Sequence, residues 1–437
     1  MPKARLTLLP LLWATYFMVS GGPFGIEDIV SKSGYAGALL ILLLTPLVWS
    51  LPTALMVSEL AGALPRDGGY YVWVSRAMGP FWGFQEAWLS LAGSVFDMAI
   101  YPTLFVQYLG HFLPAATAGH RGLWIGILLI AASAVWNLFG ARSVGRGSVV
   151  MGILLLVPFA VLAALAPFHR VAASAHSVPL RAADVLGGIL IAMWNYMGWD
   201  NASTVAGEVE RPQRTYPLAM AGAVLVVAAT YLIPVACLAS TRLDPNRWST
   251  GGWAVVASTV LPGSTGALVA LAITATGLLS ALGTQNALVM AYSRLPAVMA
   301  EDGYLPRLLA RRSASNAPWV AVLACSAAWA LCLGFSFTKL IALDVLLTGL
   351  SILLEFAALA VLRVREPGLP RAYRVPGGLA GTIAIAVCPV ALLAVAALRN
   401  NAEAVGPLNA LQFGAILILS GVPIYFLGKR IRNHDRR

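Results

Sequence analysis

The chain is a succession of long apolar runs joined by short polar segments, and that pattern leaves few folds open. Residues 149–166, 217–240 and 264–292 contain no charged side chain at all. A helix of about 20 apolar residues spans the roughly 30 Å hydrocarbon core of a bilayer. Charged residues make up 11% of the 437 residues and hydrophobic ones 59%. An ordinary soluble domain carries about 25% charge, so this chain has too little charge to cover a water-facing surface. Disordered, collagen-like and disulfide-scaffold chains are excluded by the same composition. The expectation is an all-α integral membrane protein forming a single transmembrane unit over 1–437.

Twelve spans are expected, at 8–31, 35–64, 81–110, 122–140, 147–166, 184–207, 217–240, 264–292, 318–336, 340–362, 379–398 and 407–428. An even number puts both termini on one side. The net charge of +11 invites a nucleic-acid reading. That reading fails because the basic residues sit between apolar runs and build no face. On the terminus-bearing side fall 21 Lys and Arg, including Arg66, Arg142, Arg146, Arg211 and Arg312, against 8 on the other. The excess marks the cytoplasmic side. The chain is therefore expected in the cell membrane, multi-pass, with both termini cytoplasmic, working as a monomer with lipid around it and no nucleic-acid partner.

Other chemistry is thinly represented. Cys237, Cys325, Cys332 and Cys388 lie in apolar runs without CxxC spacing and read as small buried hydrophobes. His111, His120, His169, His176 and His434 fall in loops or the tail. There is no HExxH, phosphate-binding loop or GxSxG, and the loops are too short for a soluble catalytic domain. No enzyme activity, metal or cofactor is expected. The first apolar run leads into a longer span than the core of a cleavable signal needs, so no signal peptide is expected.

Two spans are interrupted. Span 1 contains Ser20, Gly21, Gly22, Pro23, Phe24 and Gly25, and span 6 contains Asn195, Tyr196, Met197, Gly198, Trp199, Asp200 and Asn201. Glycine and proline break the helical ladder, and freed backbone groups are tolerated in a membrane only when buried in protein or lining a cavity. The breaks lie five spans apart. That spacing fits two inverted repeats, 8–166 and 184–362, with spans 11 and 12 (379–428) added and a ligand held between the broken helices.

Ionisable residues inside spans are expensive and usually functional. They are Glu27 and Asp28 after the first break, Glu59, Glu86, Asp97, Asp200 in the second break, Asp344 and Glu355. No Lys or Arg lies well inside a span. Each acid must then be protonated, accept N–H bonds at a helix start, or await a mobile cation: a proton, sodium or an amine substrate. Glu59 and Glu86 lie near span ends and read as satisfied or water-facing groups. Glu27, Asp28 and Asp97 read as functional. Tyr101, four residues from Asp97, shares its helix face. Trp194, Asn195 and Trp199 surround the second break, where an aromatic ring can stack on a cation. Ser280, Thr284, Gln285 and Asn286 either line a pathway or bond between helices.

At this point the sequence resembles the amino acid–polyamine–organocation superfamily of transporters. The resemblance rests on ELAGALPRDGGY (59–70), WDNASTVAGEVERP (199–212), and Arg294, Met299, Ala300 and DGYLP (302–306). GGPFGIED (21–28), YYVWVS (70–75), GPFWGFQ (79–85) and LEF (354–356) look closest to plant-type polyamine uptake transporters. The resemblance implies twelve helices with a five-plus-five inverted repeat, alternating access and proton coupling. It implies a substrate site at Gly21 and Gly22 and at Trp194, Asn195, Tyr196, Met197 and Gly198, with Trp194 as an aromatic gate. Two departures matter. Pro23 lacks an N–H where amino-acid relatives hold a carboxylate, and residues 147–165 lack the lysine that some proton-coupled relatives carry.

The candidate substrate residues are thus Gly21, Gly22, Glu27, Asp28, Asp97, Tyr101, Trp194, Asn195, Tyr196, Met197, Gly198 and Asp200. Glu27, Asp28 and Asp97 are the candidates for proton coupling, with sodium the alternative driver. A cationic amine such as a polyamine suits acids and aromatic faces. An amino-acid permease is the alternative, because the amides after the first break still offer donors to a carboxylate. A channel would need a continuous polar stripe, and the polar groups read as isolated.

Overall fold

The computed structural model describes residues 5–171, 182–249, 251–334, 337–400, 404–405 and 408–435. Each apolar run expected to span is helical over most of its described residues. Eight helical stretches are long and apolar enough to cross a membrane, and Leu8–Val19 and Trp319–Ala330 are shorter apolar helices. Helix is the outcome because no water in hydrocarbon can satisfy an unpaired backbone. Leu225 at 71% and Leu268 at 67% exposure show large apolar side chains on the outside, as a lipid-facing surface requires.

Helix α1 is Leu8–Val19 and α2 is Glu27–Thr45. A π turn at Pro46–Ser50 leads into α3, Leu51–Ala63. α4 is Gly69–Met78, α5 Pro80–Phe112, α6 Pro114–Thr117, α7 His120–Asn137 and α8 Ala141–Leu165. α9 is Ala182–Asn195, followed by a 3-10 segment, Asp200–Glu208. Then come α10 Pro212–Ala239, α11 Trp253–Val260, α12 Gly263–Tyr292, α13 Arg294–Glu301 and α14 Trp319–Ala330. α15 Phe337–Arg365, α16 Gly378–Asn400 and α17 Ala410–Asp435 complete the order. α5 is the hub, packed against α4, α12 and α15, while α1 packs against α8, α10 and α12.

Four details differ from the sequence expectation. The half-helix after the first break and the following span are joined in α2 through a kink at Gly34 (φ 62°, ψ 176°), so the chain turns there without a loop. The second break continues as a tighter 3-10 segment. Two short strands, Ala404–Val405 and Leu408–Asn409, pair antiparallel before α17, which starts later than expected. The N-terminal segment is tied to the end of the 3-10 segment: Leu6 N–H donates to the Glu208 carbonyl at 2.8 Å, and Glu210 N–H to the Leu6 carbonyl at 2.8 Å. Positions 335–336 and 407, assigned to spans 9 and 12, lie outside the described residues, as does His176.

The expectation that intramembrane acids lack resident basic partners fails at Glu59. Its carboxylate pairs with Arg363 at 2.5 Å and Arg371 at 3.0 Å, and accepts the Val375 N–H at 2.7 Å. It staples α3 to the end of α15 and the following loop. Removing one partner of a buried ion pair costs about 3–5 kcal/mol. Glu59→Ala is therefore expected to lower the melting temperature of the purified protein sharply, read by fluorescence-detected size exclusion after heating. An unchanged melting curve would mean the staple contributes little.

Candidate functional site

The site begins where two helices stop. α1 ends at Val19, and Gly21 (φ 63°) and Gly22 (φ 112°) adopt left-handed backbone that side-chain-bearing residues avoid. α9 ends at Asn195, and Gly198 (φ 93°) plays the same part. A Cβ on Gly198 would collide with the Met18 carbonyl, so the two breaks touch backbone to backbone at this point.

Around that contact is a cavity of about 30 Å³. Met18, Val19 and Ser20 wall it from the first break, and Trp194, Asn195, Met197, Gly198 and Asn201 from the second. Asp97 and Tyr101 enter from α5, Thr284 and Tyr292 from α12, and Asp344 and Thr348 from α15. Two carboxylates thus face one space that, among the described residues, no Lys or Arg lines. The Tyr101 hydroxyl donates to Asp97 Oδ1 at 2.6 Å, and the Tyr292 hydroxyl to Asp97 Oδ2 at 3.2 Å. Thr348 donates to Asp344 Oδ1 at 2.9 Å. Each acid is oriented by neutral hydroxyls, and neither has its charge cancelled. Such a pair suits a ligand carrying positive charge, with Trp194 and Tyr101 offering ring faces.

Asp97, Tyr101, Trp194, Asn195, Met197 and Gly198 therefore come together as the sequence grouped them. Gly21 and Gly22 form the first break just behind the wall, where the Gly21 carbonyl accepts the Ser280 hydroxyl. Tyr196 points away; its hydroxyl donates to the Leu42 carbonyl at 3.0 Å. Trp199 folds back on its own break, donating to the Tyr196 carbonyl at 2.8 Å. Glu27 is buried outside the cavity and accepts the N–H of Gly25 at 2.6 Å and of Gly251 at 3.2 Å. It ties the end of the first break to the loop before α11. Asp28 is half-exposed, 3.9 Å from Lys32. Asp200 is buried beside the cavity but does not line it. Asp344, Tyr292 and Thr348 are additions. The Asp344–Thr348 spacing of four marks a common face, but only the packing of α15 on α5 turns that face to the cavity.

Away from the cavity, side chains link the elements that carry its walls. On the side of the N-terminal segment, Arg294 pairs with Glu208 at 2.6 Å, and both are buried or nearly so. Arg312 reaches Asp67 at 3.3 Å and Glu301 at 3.0 Å. Arg76 and Glu366 pair at 2.7 Å at the surface, and the guanidinium holds the Glu366 carboxyl below its ordinary range. On the opposite side, the Trp253 indole donates to the Pro23 carbonyl at 2.6 Å, and the Trp248 indole to the Tyr35 hydroxyl at 3.0 Å.

Comparison with known proteins agrees with this architecture. The family described as Amino acid permease matches residues 11–420. The polyamine transporter PUT1 of rice is 36% identical over 421 residues, covering 95% of this chain and 78% of the relative. A probable polyamine transporter of Arabidopsis thaliana is 38% identical over 424 residues, covering 96% and 86%. The serine/threonine exchanger SteT of Bacillus subtilis is 26% identical over 364 residues, covering 80% of each.

Proposed function

The chain belongs to the amino acid permease family, and from that premise we propose that it is a multi-pass secondary transporter that carries polyamines or related cationic amines by alternating access. The observation that carries this reading is the pairing of Asp97 and Asp344 in one cavity without a resident base among the described residues. A polyamine brings ammonium groups to both acids. A substrate carboxylate, by contrast, needs backbone donors, and three of those in the first break are already committed. Gly21 N–H bonds the Tyr16 carbonyl at 3.3 Å, Gly22 N–H the Ser20 hydroxyl at 3.2 Å, and Gly25 N–H Glu27. Pro23 has none. An amino-acid substrate remains the second reading, favoured by the likeness to the serine/threonine exchanger.

The cavity of about 30 Å³ has room for no more than about two or three waters, since each needs about 10–15 Å³ of such space. A diamine enters only when the walls separate, so we read this state as occluded, with the two sets of contacts away from the cavity acting as gates. The fuller reading has twelve crossings and two inverted repeats, each opened by one break. It has both termini in the cytoplasm and a monomer in the cell membrane, driven by the proton gradient, with sodium the alternative driver. Of the three acids nominated for coupling, Asp97 alone faces the cavity, and Glu27 and Asp28 are assigned to the α2 start and the surface.

The test is purified protein in liposomes, given labelled putrescine, spermidine and a panel of amino acids with and without an inward proton gradient. Gradient-stimulated uptake of the polyamines, competed by neither serine nor alanine, is expected. Uptake of neutral amino acids that ignores spermidine would replace this reading with the second.

A further inference from the structure

The acids of α5 and α15 outside the cavity form a pattern of their own. On α5 the polar or small positions Glu86, Ser90, Gly93 and Asp97 recur at helical spacing, and on α15 Asp344, Thr348, Ser351 and Glu355 do the same. Each series lies on one helix face. The two faces meet antiparallel. Ser90 and Ser351 hydroxyls are 2.9 Å apart, and each also lies within 3.0 Å of Glu86 Oε1. A Cβ on Gly93 would press on the Thr348 hydroxyl at 3.0 Å. The seam therefore has an acid pair at each end: Asp97 with Asp344 in the cavity, and Glu86 with Glu355 eleven residues along each helix. At 1.5 Å per residue the pairs are about 16 Å apart, with hydroxyls between them.

The far pair lacks what a structural acid needs. Glu86 and Glu355 are fully buried. Glu86 Oε2 and both Glu355 oxygens have no hydrogen-bond partner among the described residues, and the same holds for the buried Tyr70 hydroxyl and Asp200 Oδ1. The titratable groups facing the pair are Tyr70 from α4 and Asp200 from the 3-10 segment. Charged groups on neighbouring elements are engaged elsewhere: Arg363 and Arg371 by Glu59, and Arg294 by Glu208. Like charges this close in low dielectric do not ionise together without a counter-charge. Among the described residues no group of three His, Cys, Asp or Glu converges, and a shared proton meets the requirement with no further ligand.

We propose that the α5–α15 seam is a proton path and that Glu86 and Glu355 hold the coupling proton. This rests on the polyamine-transport reading and deepens it. When a substrate ammonium reaches Asp97, that carboxyl gives up its proton. Thr348 and the Ser351–Ser90 pair each accept one proton and pass one on, and Glu86 receives it. The Glu86–Glu355 pair then releases one proton toward the gate that contains Arg294. Asp97 ends as the carboxylate paired with the substrate ammonium, and the Glu86–Glu355 pair returns to the one shared proton and the single negative charge it began with.

The experiment separates coupling from carriage. Protein in liposomes is assayed for labelled putrescine in two ways: accumulation driven by an inward proton gradient, and counterflow without a gradient. Glu355→Gln and Glu86→Gln are expected to lose gradient-driven accumulation while retaining counterflow. The double variant Ser90→Ala/Ser351→Ala keeps both acids and is expected to slow accumulation relative to counterflow, which tests the path even if an acid variant folds poorly. Full gradient-driven accumulation in the acid variants overturns the proposal. So does joint loss of accumulation and counterflow in variants that elute as folded protein, because the acids would then serve carriage itself. Absence of counterflow in the unaltered protein overturns instead the polyamine reading beneath it.

Discussion

Asp97→Asn yields a folded protein that no longer takes up spermidine. The side chain is nearly isosteric, so Tyr101 and Tyr292 keep a partner and the packing of α5 survives. What disappears is the charge that meets the ammonium group. Deleting one member of a buried charge pair costs about 3–5 kcal/mol, and at about 1.4 kcal/mol per decade affinity falls by two to three orders of magnitude. Asp344→Asn is expected to act in the same direction. Because both acids face one small cavity, their effects should fail to add, as expected for residues that share a ligand. Initial uptake rates over a range of spermidine concentrations, with size-exclusion profiles as the control for folding, read the effect. Ordinary uptake by both variants would remove the acids from the site.

The second large effect belongs to the gate beside the N-terminal segment. Arg294 is 2% exposed and bonds Glu208 through two nitrogens. Its third hold is the Met290 carbonyl at the end of α12. Glu208 closes the 3-10 segment, whose backbone is also tied to Leu6. Arg294→Ala leaves Glu208 unpaired and removes about 3–5 kcal/mol from the closed arrangement. A bias of that size shifts an open–closed equilibrium by two to three orders of magnitude. In a background with the four cysteines replaced, Ala206→Cys lies buried in the 3-10 segment and reports opening. Its labelling by a membrane-impermeant maleimide, applied from the N-terminal side, is expected to rise steeply with Arg294→Ala. Unchanged labelling would show that this ion pair does not hold the gate.

The helices and the breaks were readable in the sequence because the bilayer imposes them. Backbone groups in hydrocarbon close their own bonds, so apolar runs become helix, and Gly21, Gly22, Pro23 and Gly198 show where that closure fails. Trp194, Asn195, Met197 and Gly198 follow from this, since residues next to a break face what the break surrounds, and Asp97 with Tyr101 follow from an acid and a hydroxyl four apart inside a span. Asp344 did not follow. Its acid was visible, but its register against Asp97 depends on how α15 packs on α5, and a single helix does not encode its partner. The seam from Glu86 to Asp97 is periodic in sequence, yet reading each acid alone conceals it, and Glu86 was placed near a water-facing end when it is fully buried. Glu59 is satisfied, as its reading near a span end allows, but by two resident bases that the spans themselves do not supply. Its partner Arg371 lies beyond α15 in a loop that folds back, a contact no local pattern announces. Glu27 looked like a ligand group because it follows a break, and the same position makes it an acceptor for the backbone the break exposes.

Asp97 and Asp344 make the cavity a site for positive charge, and direct displacement tests that. Purified protein in detergent or nanodiscs is loaded with labelled spermidine and challenged with putrescine, with 1,4-butanediol of the same length, and with serine. Displacement by putrescine alone is the predicted result, because only the diamine brings ammonium groups to Asp97 and Asp344. Displacement by serine or the diol as effectively as by putrescine would contradict it.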